Sequence, residues 1–305
     1  MAKIHGIGTQ ISGKVGQIIY RQTKYGTVAY ESPAKPATPR RSEKQMEQRT
    51  QLANLGAVYS QFNPTLKHAF EGLNGMTDYN AFVQANMGVC RVFLPKQMRL
   101  NGGCVLAPYQ ITRGTLPSIA MGINGNDVLV TNISLGSLTV NANTSVAEFS
   151  LAVIRNNPNW DEGDQLTFFY GIQTIDAVTS VPRASITGYK VVLNTTDATP
   201  LWAYTDALGF CNVDGMLGMS QPATDSAAAW IHSRLDANGN LRVSTQFLYV
   251  DSSVLDRYQT DEAFTQSADS YGGINTNDVF LQPNGTDDIV LRKHNATTSN
   301  NKTED

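Results

Sequence analysis

The run Ala229-Trp230-Ile231-His232-Ser233-Arg234, followed past Asn238-Gly239 by Leu241-Arg242-Val243-Ser244-Thr245-Gln246-Phe247-Leu248-Tyr249, decides the class of fold. Both runs are rich in β-branched and aromatic residues, and Asn-Gly tolerates the left-handed torsions that a tight hairpin needs. The spacing predicts an antiparallel pair around that turn. From Arg91 onward, similar short runs are divided by glycine, proline and asparagine, which places strands near 104–112, 127–133, 137–141, 165–173, 187–193 and 208–213. With 227–234 and 241–249 they predict a β-rich, sandwich-like body over residues 91–272. Helices are expected to interrupt it at about 145–156 and after Thr260.

On the N-terminal side of that body the period changes. Ser42-Glu43-Lys44-Gln45 fits a capping box, and Leu52, Leu55, Tyr59 and Phe62 follow at helical spacing. Asn63-Pro64 predicts a restart, with Leu66, Phe70 and Leu73 on its apolar face, and a third short helix is expected from Thr77-Asp78, carrying Tyr79 and Phe82. Residues 42–90 therefore read as a small helical layer whose aromatics are packing residues. The class is α+β.

Residues 1–41 have a different character. Ser12-Gly13-Lys14-Val15-Gly16-Gln17-Ile18-Ile19-Tyr20 and Gly26-Thr27-Val28-Ala29-Tyr30 alternate as strands, and Thr23-Lys24-Tyr25-Gly26 supplies a turn. Pro33, Pro36 and Pro39 then recur every third residue and favour an extended arm. A ribbon and an arm cannot bury a core of their own, so this end is expected to lie across a partner. Ile18, Tyr20, Val28 and Tyr30 are the candidate apolar contacts, and Lys35, Arg40 and Arg41 are the candidates for an acidic surface on a neighbour. Residues 273–305 read as a polar C-terminal tail.

Composition narrows the possibilities. A chain of 305 residues that is 41% hydrophobic can bury one large or two moderate cores. The net charge of −3 conceals an asymmetry, because residues 1–50 hold nine Lys/Arg against three Glu. Lys35, Arg40, Arg41, Lys44 and Arg49 would neutralise phosphates without reading bases, but Glu43 and Glu47 interrupt the series, so nucleic acid is not the expected specific ligand. Cys90, Cys104 and Cys211 cannot all pair within the chain and lack zinc-like spacing, which fits a reducing compartment. No apolar run is long enough for a membrane helix, and no secretory signal is expected at the N-terminus.

The motifs that resemble chemistry have simpler explanations. Gly8-Thr9-Gln10-Ile11-Ser12-Gly13-Lys14-Val15 nearly matches a phosphate-binding loop, but Val15 has no hydroxyl for magnesium and Ile18-Ile19-Tyr20 continues as strand instead of helix. His5, His68, His232 and His294 are isolated, and His232 reads as a structural residue in a strand. Asp161-Glu162-Gly163-Asp164 lacks the alternating ligands of a calcium loop and reads as a turn into Gln165-Leu166-Thr167-Phe168-Phe169-Tyr170. Asp236-Ala237-Asn238-Gly239-Asn240 also reads as a turn. No catalytic residue, metal or cofactor is expected, and no small-molecule substrate is inferred.

The Gly13 to Gly16 hairpin, the Gln45 to Arg49 helix start, Ile111-Thr112-Arg113-Gly114-Thr115-Leu116-Pro117, Gly163-Asp164-Gln165-Leu166-Thr167-Phe168, and Ser233-Arg234 with Val243-Ser244 together resemble a family found in Bacteroidota and their phages. The resemblance spans most of residues 1–272 and transfers no catalytic residue. It implies a phage virion structural protein, such as a capsid accessory, connector or tail component, assembled in the bacterial cytoplasm with copies of itself and other virion proteins. The alternative expectation is a monomeric carbohydrate- or protein-binding β module that uses Trp160, Trp202 and Trp230.

Overall fold

The computed structural model describes residues 12–23, 26–32, 41–62, 66–73, 75–124, 128–205, 209–219 and 225–274. The chain divides into two compact units, residues 1–40 and 41–305. The first holds β1 (Gly13–Val15), β2 (Ile18–Thr23) and β3 (Gly26–Glu31), an antiparallel sheet in the order β1-β2-β3. Val15 pairs with Ile18 across a two-residue turn in which Gly16 has φ +60°, a torsion that glycine adopts without strain. The expected hairpin is therefore present, with a third short strand added. Where a phosphate loop needs a helix, the chain continues as β2.

The second unit begins with α1 (Glu43–Phe62), α2 (Asp78–Asn86) and α3 (Lys96–Leu100), followed by β4 (Gln110–Thr112), β5 (Met121–Ile123), β6 (Leu129–Ser134) and α4 (Val146–Asn156). It continues with β7 (Gln165–Ile175), β8 (Pro182–Val192), α5 (Trp202–Thr205), β9 (Phe210–Val213), β10 (Met216–Met219) and β11 (Ser226–Leu235). The last elements are β12 (Leu241–Val243), β13 (Gln246–Phe247), β14 (Tyr249–Asp251), α6 (Ser253–Arg257) and α7 (Asp261–Ser270). A five-stranded sheet runs β12-β11-β7-β8 with β14 also beside β11, a four-stranded sheet runs β5-β6-β10-β9, and β13 pairs with β4. The structure is α+β with the N-terminal hairpin expected from the sequence. Among the described residues no helix is long and apolar enough to cross a membrane.

Strand β11 explains the layering. It pairs with β7 so that Trp230 lies opposite Phe168 and Ala229 opposite Phe169, which sends alternate side chains to opposite faces. Phe169, Ala227, Ala229 and Ile231 pack with Leu55, Val58, Phe62 and Phe82 of α1 and α2. Leu166, Phe168, Ala228 and Trp230 pack with Leu129, Ile133, Phe149, Phe210 and Leu217 of the second sheet and α4. Phe62 meets Phe169 edge-on with ring centroids 5.3 Å apart, and Phe210 meets Phe168 at 5.2 Å. Because β11 is covered on both faces, residues 226–233 are buried without alternation.

Local signals set several element boundaries. Ser145 caps α4, accepting from the Glu148 amide while the Glu148 carboxylate accepts from the Ser145 amide. Thr77 and Thr260 cap α2 and α7 through their hydroxyls. The β11–β12 pair is the expected hairpin, with Arg234 opposite Arg242, but its loop is Asp236–Asn240 and not a two-residue Asn-Gly turn. Asp236 organises that loop, its Oδ1 accepting from the amides of Asn238 and Asn240 at 2.9 Å each.

Other expectations are corrected. Residues 66–73 are not helical; Phe70 bridges to Arg113, and residues 63–65 lie outside the described set. Residues 137–141 form no strand, and β5, β10, α3 and α6 were not anticipated. Residues 104–107 and Tyr109 are buried but form no ladder, because side-chain amides take the place of a neighbouring strand. Asn54 accepts from the Val105 amide at 2.9 Å and donates to its carbonyl at 2.8 Å. Gln173 accepts from the Leu106 amide at 2.8 Å and donates to the Cys104 carbonyl at 3.1 Å. Asn86 treats Gln110 in the same way at 2.6 and 2.8 Å, and Gln246 treats Ile119 at 2.7 and 2.8 Å. A carboxamide carries one acceptor and one donor side by side, so it can satisfy both polar groups of a buried peptide segment.

Candidate functional site

The N-terminal ribbon carries the predicted contact residues, and the strand register divides them between two faces. Ile18 lies opposite Val15 and Glu31, and Tyr20 lies opposite Ala29, which places Ile18, Tyr20, Val15 and Ala29 on one face. Tyr30 lies opposite Ile19 and Val28 opposite Arg21, so Tyr30, Val28, Ile19 and Lys14 occupy the other. Lys14 Nζ donates to Ser32 Oγ at 3.1 Å on that second face. None of the described ribbon residues is buried, and Val15, Ile18, Val28 and Tyr30 are 43–49% exposed. Three strands without a covered face lack the burial that stabilises a sheet in water.

The basic arm fares differently. Lys35 and Arg40 lie outside the described residues. Arg41 belongs to the second unit, where its guanidinium donates to the Gly272 carbonyl at 2.7 Å. Arg41 therefore ties the start of α1 to the turn after α7, a role its place in a basic run did not suggest.

A second constellation lies in the body around the β11 residues His232 and Arg234. Both project from the same face of the strand, being two residues apart. His232 Nε2 is 2.8 Å from Asp164 Oδ2, and Arg234 grips the same carboxylate with two nitrogens, Nε to Oδ1 at 2.8 Å and Nη2 to Oδ2 at 2.6 Å. The Asp161 amide adds a fourth bond to Asp164 Oδ2 at 2.9 Å. Trp160 stacks on the His232 ring at 3.8 Å between centroids with an interplanar angle of 14°. The His232 and Asp164 side chains are nearly inaccessible to solvent. Burial alone pushes the Asp164 carboxyl up, but hydrogen bonds from His232, Arg234 and the Asp161 amide outweigh it and hold the carboxyl at about 2.

Residues 161–164 are thus a turn into β7, as expected, and Asp164 is also a buried acceptor for β11. The His232–Asp164 contact spans 68 residues of sequence. The legible signal was the His-x-Arg spacing on one strand face; its carboxylate partner required the β7–β11 register. Beside the ring lies a mostly polar cavity of about 120 Å³, lined by His232, Ser118, Asn132, Asn159 and others.

Among the described residues no cluster of His, Cys, Asp and Glu could hold a metal ion. Cys90 and Cys104 are buried thiols, and burial pushes Cys104 up to about 12. Of the tryptophans considered for a carbohydrate surface, Trp160 and Trp230 are 7% and 0% exposed and belong to the second core. No family model, curated protein or solved structure matches the chain.

Proposed function

We propose that this chain is a structural assembly component, and that its N-terminal ribbon joins it to neighbouring copies. The observation that carries this reading is the ribbon itself, a separate unit with apolar side chains on both faces and no buried residue among those described. Covering either face removes Ile18 and Val15, or Val28 and Tyr30, from water and supplies the burial that the ribbon lacks. Lys35 and Arg40 would add long-range attraction to an acidic neighbour. The resemblance of the sequence motifs to a Bacteroidota and phage family supports a virion as the particle in which such a component works.

The test compares the full chain with residues 41–305 by light scattering at low and high salt. The truncation leaves Arg41 in place for its bond to Gly272. An oligomer of the full chain that becomes monomeric on truncation supports the reading. A full chain that is monomeric, or a truncated chain that still assembles, overturns it.

A further inference from the structure

We propose that strand β8 of a second copy is the surface that the ribbon joins, its open edge pairing with β3 through main-chain hydrogen bonds; this rests on the ribbon being the assembly element. Just past the end of β8, the Leu193 amide donates to the Asp164 carbonyl at 2.7 Å, in line with the β7–β8 register. Main-chain groups alternate in direction along an antiparallel pair. Ser185, Thr187, Tyr189 and Val191 therefore turn theirs to β7, and Ala184, Ile186, Gly188, Lys190 and Val192 turn theirs away. β8 ends the sheet, with no strand on that side. The Cys104 amide closes only its start, donating to the Pro182 carbonyl at 2.9 Å. From Ala184 to Val192 the outward groups have no hydrogen-bond partner among the described residues. The register with β7 runs unbroken from Gln165 to Ile175, so no bulge turns the edge aside. A long, regular, open edge is a template for another strand.

The ribbon offers the matching half. β3 ends its sheet, and all six of its residues are exposed. The Ser32 amide donates to the Gln17 carbonyl, so by the same alternation Thr27, Ala29 and Glu31 turn their main-chain groups away from β2. Charge agrees with this pairing. β8 carries Arg183 and Lys190 and no acid, whereas β3 carries Glu31 and no base. Arg183 donates to the Asn101 carbonyl, but Lys190 has no ion pair among the described residues. A lysine on an open edge discourages indiscriminate strand addition and favours a strand that brings an acid. Every strand pair described in this chain is antiparallel, and in that arrangement the outward residues of the two strands lie opposite each other. Glu31 and Ala29 then share a face with Lys190 and Ile186, and Val28 and Tyr30 share the other face with Thr187 and Tyr189.

The test is light scattering on full-length chains. Lys190→Pro removes an outward amide of β8 and Ala29→Pro an outward amide of β3, and neither removes a hydrogen bond inside its own sheet. Each variant alone should be monomeric and keep a cooperative thermal transition. Donor ribbon and acceptor edge are different surfaces, so a mixture pairs the intact ribbon of Lys190→Pro with the intact edge of Ala29→Pro and should yield a complex of one copy of each, at twice the monomer mass. Gly188→Pro, at the neighbouring outward amide, replaces Lys190→Pro if that variant does not fold. An oligomer that persists in a folded β8 variant, or a mixture that stays monomeric, overturns the β8 assignment and leaves the ribbon reading standing. A wild-type chain that is itself monomeric overturns the ribbon reading and this assignment with it.

Discussion

Asp164 holds distant segments together, because three separate donors, His232, Arg234 and the Asp161 amide, converge on it. Its carboxyl is held near 2 in the folded chain against 3.8 in the unfolded one, so its contribution is fully present above pH 3.8 and is lost as the pH falls through about 2. Urea melts between pH 5 and pH 2 should therefore show a loss of stability that is visibly smaller in Asp164→Asn. At neutral pH the same variant should lose roughly 2–3 kcal/mol, since Arg234 and His232 then face a neutral amide. Gly114 makes a second residue-level case. A Cβ there would collide with the Val243 carbonyl oxygen and with Glu71 Oε1, which accepts from the Val243 amide at 2.7 Å. Gly114→Ala should cost about 1–3 kcal/mol by chemical denaturation.

At the scale of elements, the largely buried segment 104–110 carries the sharpest prediction. Asn54 is fully buried and must donate to one group of Val105 and accept from the other. Asn54→Asp keeps the shape but removes the donor and sets a carboxylate against a carbonyl. It should destabilise the chain by about 2 kcal/mol or more, whereas an Asn→Asp change at exposed Asn143 should stay within about 0.5 kcal/mol. Thermal melts of the two variants decide this. Helix α4 offers a milder case: Ser145→Ala removes one half of the capping box and should cost about 1 kcal/mol.

At the scale of the whole molecule, the ribbon and the body make separable predictions. All residues of both hydrophobic clusters lie in the second unit, so removing residues 1–40 should leave the melting temperature within about 2 °C of the full chain. The two ribbon faces can be separated by charge. Ile18→Asp marks the face of Tyr20, and Val28→Asp marks the face of Tyr30. If assembly uses one face, only one of these variants should dissociate the oligomer in light scattering, and both should keep the body folded.

The sequence by itself determined what depends on neighbours along the chain. The helix starts near Thr77, Ser145 and Thr260 and the β11–β12 pairing were legible because each rests on a few consecutive residues and a period of 2 or 3.6, whereas the Gly16 turn splits a stretch that read as one strand. The tertiary structure alone decided the contacts between distant segments. Residues 104–109 looked like a strand, yet amides from Asn54 and Gln173 took over their hydrogen bonds. His232 and Asp164 became partners only through the β7–β11 register, and Arg41 left its basic run to bind Gly272. A buried polar group must find a partner wherever one lies in space, and its distance along the chain leaves no periodic trace.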